Sequence, residues 1–137
     1  MTLETNKQLA LRFYEEALNG GKLELLDEIM AADYVEHGAP PDRPPGREGF
    51  KAFLGMVAGA FPDLHVHVED VLGEENKVVV RLSVHGTHEG VLMSDIQPTG
   101  KEAKWTGIDI LEIEGGKIVG RWSERDLLGM MRQLGVQ

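Results

Sequence analysis

The chain has 137 residues, 42% of them hydrophobic and 27% charged, with a formal net charge of −9 and no cysteine. That length and apolar share suit one domain, 1–137, around a single core. The acidic balance, with Lys and Arg scattered singly, argues against nucleic acid or anionic membrane as partners; lack of cysteine removes disulfides, thiolate nucleophiles and cysteine metal sites, and fits a cytoplasmic setting.

No apolar run escapes a charged residue for long enough to cross a bilayer. The N-terminal residues have no basic stretch leading into an apolar one, so no secretory signal is expected. Leu9, Ala10, Phe13, Tyr14, Ala17 and Leu18 recur at helical spacing over 3–18, and Gly20-Gly21 ends that run. A shorter helix follows, with Leu23, Leu25, Leu26, Ile29 and Met30 on its buried side. Asp33 to Pro45 reads as a proline-rich loop. Phe50, Phe53, Leu54, Val57 and Phe61 then form the apolar stripe of a third helix, which Pro62 stops.

Beyond Pro62 the period changes to two. His65 to Val71 alternates, and Lys77 to His88 gives the longest strand signal, with Val78, Val80, Leu82 and Val84 on one face. After a loop from Ser94 to Gly100, Ala103–Ile113 and Ile118–Arg125 are strands joined at Glu114-Gly115-Gly116-Lys117, where adjacent glycines supply positive φ for a tight hairpin. A closing amphipathic stretch carries Leu127, Leu128, Met130, Met131 and Leu134. Helices first and long antiparallel strands afterwards predict an α+β fold, with helices packed on one face of a curved antiparallel sheet.

A two-residue hairpin sets a register. Pairing Glu114 with Lys117 places Ile113 beside Ile118, Leu111 beside Gly120, Asp109 beside Trp122, Gly107 beside Glu124 and Trp105 beside Asp126. One face then combines Trp105 and Trp122 with Asp109, Glu124 and Asp126, and the missing side chains of Gly107 and Gly120 leave room for a ligand. A carboxylate among large aromatics is desolvated and suited to acid/base chemistry. The same face can equally be a solvated one, with tryptophans covering a helix. The opposite face, with Ile108, Ile110 and Val119, could meet a second subunit.

Tyr34-Val35-Glu36-His37, Phe61-Pro62-Asp63-Leu64, Gly86-Thr87-His88-Glu89-Gly90 and Pro98-Thr99-Gly100-Lys101 occur in that order. Asp109-Ile110, Gly115-Gly116-Lys117-Ile118-Val119, Trp122, Asp126 and a terminal Met131-Arg132-Gln133-Leu134-Gly135 follow. This ordered series resembles the SnoaL-like proteins of the NTF2-like superfamily over nearly the whole chain. The resemblance implies a cone-shaped α+β barrel enclosing a deep apolar pocket, with a homodimer formed sheet to sheet. It also implies polyketide cyclases that close a ring by intramolecular aldol condensation, without metal or organic cofactor. A pocket aspartate is the acid/base in those enzymes, and Asp126 matches its position.

Asp126 is the first candidate for general acid/base, against a role as cap of the last helix. His37 and Asp109 join it as catalytic candidates; Tyr14, Arg81, His88, Trp105, Trp122 and Glu124 are candidates for substrate binding. Arg81 has two readings, a pair with Asp109 or Asp126 inside the cone and the commoner structural ion pair. No metal site is expected, because His65, His67 and His85 lie on strands without Asp or Glu at ligand spacing. The leading expectation is a cofactor-independent cyclase or isomerase acting on a small apolar carbonyl compound. The competing ones are a non-catalytic carrier of a hydrophobic ligand and an epoxide hydrolase that needs an Arg between two acids.

Overall fold

A computed structural model describes residues 2–136. Helix α1 (Leu3–Arg12) starts at a capping box in which Thr2 and Thr5 satisfy each other's backbone N–H. The helix then widens into a π segment over Phe13–Asn19, which turns Phe13, Tyr14 and Ala17 into the core. A 3₁₀ turn (Leu23–Leu25) and the short α2 (Leu26–Ile29) lead straight into strand β1 (Met30–His37). Helix α3 (Gly46–Ala60) follows, then β2 (His65–Glu74), β3 (Lys77–Thr87), β4 (Glu102–Glu114), β5 (Lys117–Arg125) and α4 (Leu127–Leu134).

The five strands form one mixed sheet in the order β1-β5-β4-β3-β2. The four later strands are the antiparallel meander that alternation predicts; β1 lies parallel to β5 on the far edge. This strand occupies residues whose periodicity predicts the end of helix two, at Met30, and a loop from Asp33 onward. Its apolar pattern is too sparse to announce a strand: Tyr34 is buried while Val35 is half exposed. Pairing with β5 is what holds it extended.

Val78, Val80 and Leu82 of β3, Leu111 and Ile113 of β4, and Ile118 of β5 pack beneath Phe13, Leu26, Ile29 and Phe50 from the helices. At the sheet's other edge Asn19 covers β2, its side-chain amide accepting from Val66 N–H at 2.8 Å and donating to Val66 C=O at 2.7 Å. Gln133 of α4 does the same to Lys104, with both bonds at 2.7 Å. No helix among the described residues is long and apolar enough to cross a membrane.

The β4–β5 hairpin turns where expected, with Gly115 at φ 57° and Gly116 at φ 79°. Glu114 pairs with Lys117 and Ile113 with Ile118. Beyond them the register slips by one residue at Val119, since Glu112 already faces Gly120. Leu111 therefore pairs with Arg121, Asp109 with Ser123 and Gly107 with Arg125, instead of Gly120, Trp122 and Glu124. A one-residue slip turns every later side chain of β5 to the other face. Arg121 and Arg125 enter the concave side, and Trp122 and Glu124 leave it.

Candidate functional site

Inside the concave face, five polar side chains from three elements meet around Asp109 of β4, which has no exposed surface. The Tyr14 hydroxyl donates to Asp109 Oδ2 at 2.5 Å. Arg125 grips the same carboxylate with two bonds, at 2.5 Å to Oδ1 and 3.1 Å to Oδ2. Arg121 reaches Oδ2 at 3.3 Å with one end and donates through Nε to Glu36 Oε1 at 3.0 Å. Glu36 also accepts from the Tyr34 hydroxyl at 2.5 Å. Two acids thus face two guanidiniums and two phenols, so every buried charge has an opposite partner.

Local structure sets this arrangement. The π segment aims Tyr14 at β4, alternation along β1 sends Tyr34 and Glu36 inward together, and the Val119 bulge delivers Arg121 and Arg125. The guanidinium of Arg121 lies 5.0 Å over the Phe50 ring, which holds its plane. Gly107 makes room for Arg125: a side chain there would begin 2.6 Å from Arg125 Cδ. Of the two arginines Arg125 is the more open, its side chain 20% exposed against 6% for Arg121.

Burial pushes the Asp109 carboxyl upward, but Arg121, Arg125 and the Tyr14 hydrogen bond outweigh it and hold the group below the ordinary carboxylate range. Burial, followed by the charge of Asp109, drives the Tyr14 hydroxyl well above its usual value. Tyr34 is raised for the same first reason. Burial works against the charge on Arg121, yet Asp109, Tyr34 and Glu36 keep it more firmly protonated than usual. The cluster is therefore an ionised carboxylate beside a protonated phenol and two cations.

Of the residues singled out from sequence, Asp109 and Tyr14 meet in this cluster. Trp105 is buried on the same face, 5.2 Å from the Phe61 ring and four residues along β4. His88 is buried next to Phe61; its Nδ1 accepts from Thr99 N–H at 3.2 Å, and Nε2 has no hydrogen-bond partner among the described residues. The others lie elsewhere. His37 and Trp122 stack on each other at 4.1 Å on the outer face, as strand neighbours in the β1–β5 pair. Glu124 is exposed there. Arg81 does not enter the cone; it makes the structural ion pair, at 2.6 Å to Asp70 on β2, each side chain about half exposed. Asp126 is exposed and caps α4, accepting from Gly129 N–H at 2.9 Å.

Arg121, Arg125, Glu36 and Tyr34 escaped the sequence reading. For the arginines the signal was hidden by the bulge. Glu36 was within reach: treating Tyr34-Val35-Glu36-His37 as a strand puts Tyr34 and Glu36 on one face and His37 on the other. An open depression of about 400 Å³ lies on the outer side, lined by Ile108, Ile110, Trp122 and Glu124 among others.

A model of the SnoaL-like polyketide cyclase family matches residues 8–134. No curated protein matches the chain. Among solved structures, TsrD from Streptomyces laurentii is 31% identical, covers 100% of this chain and 99% of its own, and superposes with a TM-score of 0.90. IdmH from Streptomyces antibioticus, a proposed polyketide cyclase, is also 31% identical, over 96% of this chain and 99% of its own, at 0.82. AclR from Streptomyces galilaeus, a proposed hydroxylase, is 26% identical, over 99% of each chain, at 0.84.

Proposed function

The chain belongs to the SnoaL-like polyketide cyclase family, and we propose that it is a cofactor-independent cyclase or isomerase acting on a small apolar carbonyl compound held inside the cone. The observation that carries this reading is a wholly buried carboxylate, Asp109, met by a phenol and two guanidiniums. Asp109 takes over the role that the sequence suggested for Asp126. It removes a proton from the carbon beside the carbonyl, and the C–H electron pair becomes the enolate. Tyr14 and Arg125 donate to the enolate oxygen as its charge develops. In a ring closure the enolate carbon attacks a second carbonyl, and Asp109 returns its proton to the new alkoxide.

The electrostatics support this sequence of events. Tyr14, Arg121 and Arg125 hold the empty-handed carboxylate ionised, while burial alone would raise its pKa. A carbonyl oxygen that draws Tyr14 and Arg125 onto itself removes part of that stabilisation, and Asp109 becomes a stronger base when substrate is present. Arg125, the more open of the two cations, is the side chain that moves.

A second reading rests on Arg121, which spans Glu36 and Asp109. A guanidinium between two acids suits water activation and epoxide opening. The outer face supports a homodimer, since Val35, Ile108 and Trp122 are exposed there. The cysteine-free composition supports action in the cytoplasm.

The test is α-deuteration of aryl and polycyclic ketones in D₂O, followed by proton NMR. Wild-type protein is expected to accelerate exchange, with Asp109→Asn losing about a hundredfold or more. Tyr14→Phe, which keeps the packing, is expected to lose about tenfold. Ketone binding without any exchange would replace the enzyme with a carrier. Opening of a styrene-oxide-type epoxide, lost in Glu36→Gln, would favour the hydrolase.

A further inference from the structure

None of the five histidines takes part in the cluster around Asp109, and three of them stand together. His65 and His67 are alternate residues of the edge strand β2, and the ladder sets His85 of β3 directly opposite His65. Alternation puts all three on the convex side of the sheet, remote from the inward-facing Val66 and Val84. Their ring centroids are 4.5 Å apart for His65 and His67, 5.2 Å for His67 and His85, and 5.7 Å for His65 and His85. His67 and His85 are exposed and His65 is half-buried.

Three imidazoles with nitrogens about 2.1 Å from one tetrahedral ion have centroids separated by about 5 Å. The observed triangle has that size. No group of three His, Cys, Asp or Glu side chains among the described residues is arranged to hold a metal ion. The exposed rings of His67 and His85 turn freely, however, and the backbone register that sets the spacing of all three is already in place. The surroundings are acidic. Glu15 and Glu69 line a depression of about 390 Å³ together with His65 and His67, Asp63 accepts from Thr87 two residues along β3 from His85, and the whole chain carries −9. Such a field concentrates cations and lowers the cost of bringing one to neutral imidazoles.

We propose that His65, His67 and His85 form a binding site for a divalent transition-metal ion of the zinc class on the convex edge of the sheet. Neutral imidazole is a borderline ligand that selects zinc, copper or nickel over magnesium or calcium. The three protein ligands leave a fourth position for water. The ion links β2 to β3 and adds a clasp to the edge strand. Linear spacing conceals this site, because His85 is eighteen or more residues from its partners and only the antiparallel register closes the gap.

Titration calorimetry with zinc chloride on the intact chain at pH 7.5 tests this, alongside thermal unfolding with and without zinc. One site in the micromolar range is expected, with His67→Ala and His85→Ala each at least about tenfold weaker. Zinc should raise the melting temperature of wild type and leave that of His85→Ala unmoved. Both rings are exposed, so circular dichroism should confirm that the variants fold. Absence of wild-type binding, or equal binding by His85→Ala, overturns the proposal.

Discussion

Asp109 is out of contact with solvent, so its charge answers to three donors rather than to water. Its folded-state pKa is depressed, and the stability it contributes is present above the unfolded value of ~3.9 and lost as pH falls through the lower folded value. Tyr14 has the opposite sign. Its pKa is raised, so its contribution is present below the unfolded value of ~10 and lost as pH rises through the folded one. Urea midpoints measured from pH 2 to 11 should therefore hold through the middle range and fall at both ends. Asp109→Asn should flatten the acid arm and Tyr14→Phe the alkaline arm. At neutral pH, Asp109→Asn is expected to cost about 3 kcal/mol, because it leaves Arg121 and Arg125 buried without their shared anion. Tyr14→Phe removes one buried hydrogen bond and should cost about 1 kcal/mol.

Among the elements, the bulged strand β5 and the capped helix α4 decide which acid lies buried and which caps a helix. One extra residue at Val119 exchanges the contents of the two sheet faces. It turns a face that would have held Trp122 and Glu124 into one that holds Arg121 and Arg125. Asp126 follows β5 and accepts from Gly129 N–H in the first turn of α4. A cap of this kind stabilises its helix by about 1 kcal/mol. Asp126→Ala is expected to lower stability by that amount in urea unfolding while leaving ketone α-deuteration unchanged. Loss of exchange in a folded Asp126→Ala would return the catalytic role to this residue.

For the molecule as a whole, the curved sheet separates two surfaces of different character. The concave one buries its charges in pairs beneath α1, the π segment and α3. The convex one leaves Val35, Ile108 and Trp122 in the open, with Ile108 49% exposed. Apolar side chains grouped on one face mark an interaction surface. Wild-type protein should sediment as a dimer, and Ile108→Glu should shift it to monomer without changing the circular dichroism spectrum. A monomeric wild type would remove the dimer reading.

Sequence alone determined the α+β class, the helical stripe of α3, the long β3 strand and the Gly-Gly turn. Each of these depends on a local period or on a backbone angle that one or two residues impose. It also singled out Asp109, which alternation along one strand groups with Trp105, and Tyr14, which lies on the buried stripe of a helix. Tertiary structure decided the rest. The bulge at Val119 costs nothing in the local pattern, since Val119 suits a strand in either register. Strand β1 exists through its pairing with β5, and its own side chains give little sign of it. The cluster joins Tyr14, Glu36, Asp109 and Arg121 across 107 residues of chain from Tyr14 to Arg121. Contacts between elements so far apart have no period to betray them, and only the folded register brings those charges together.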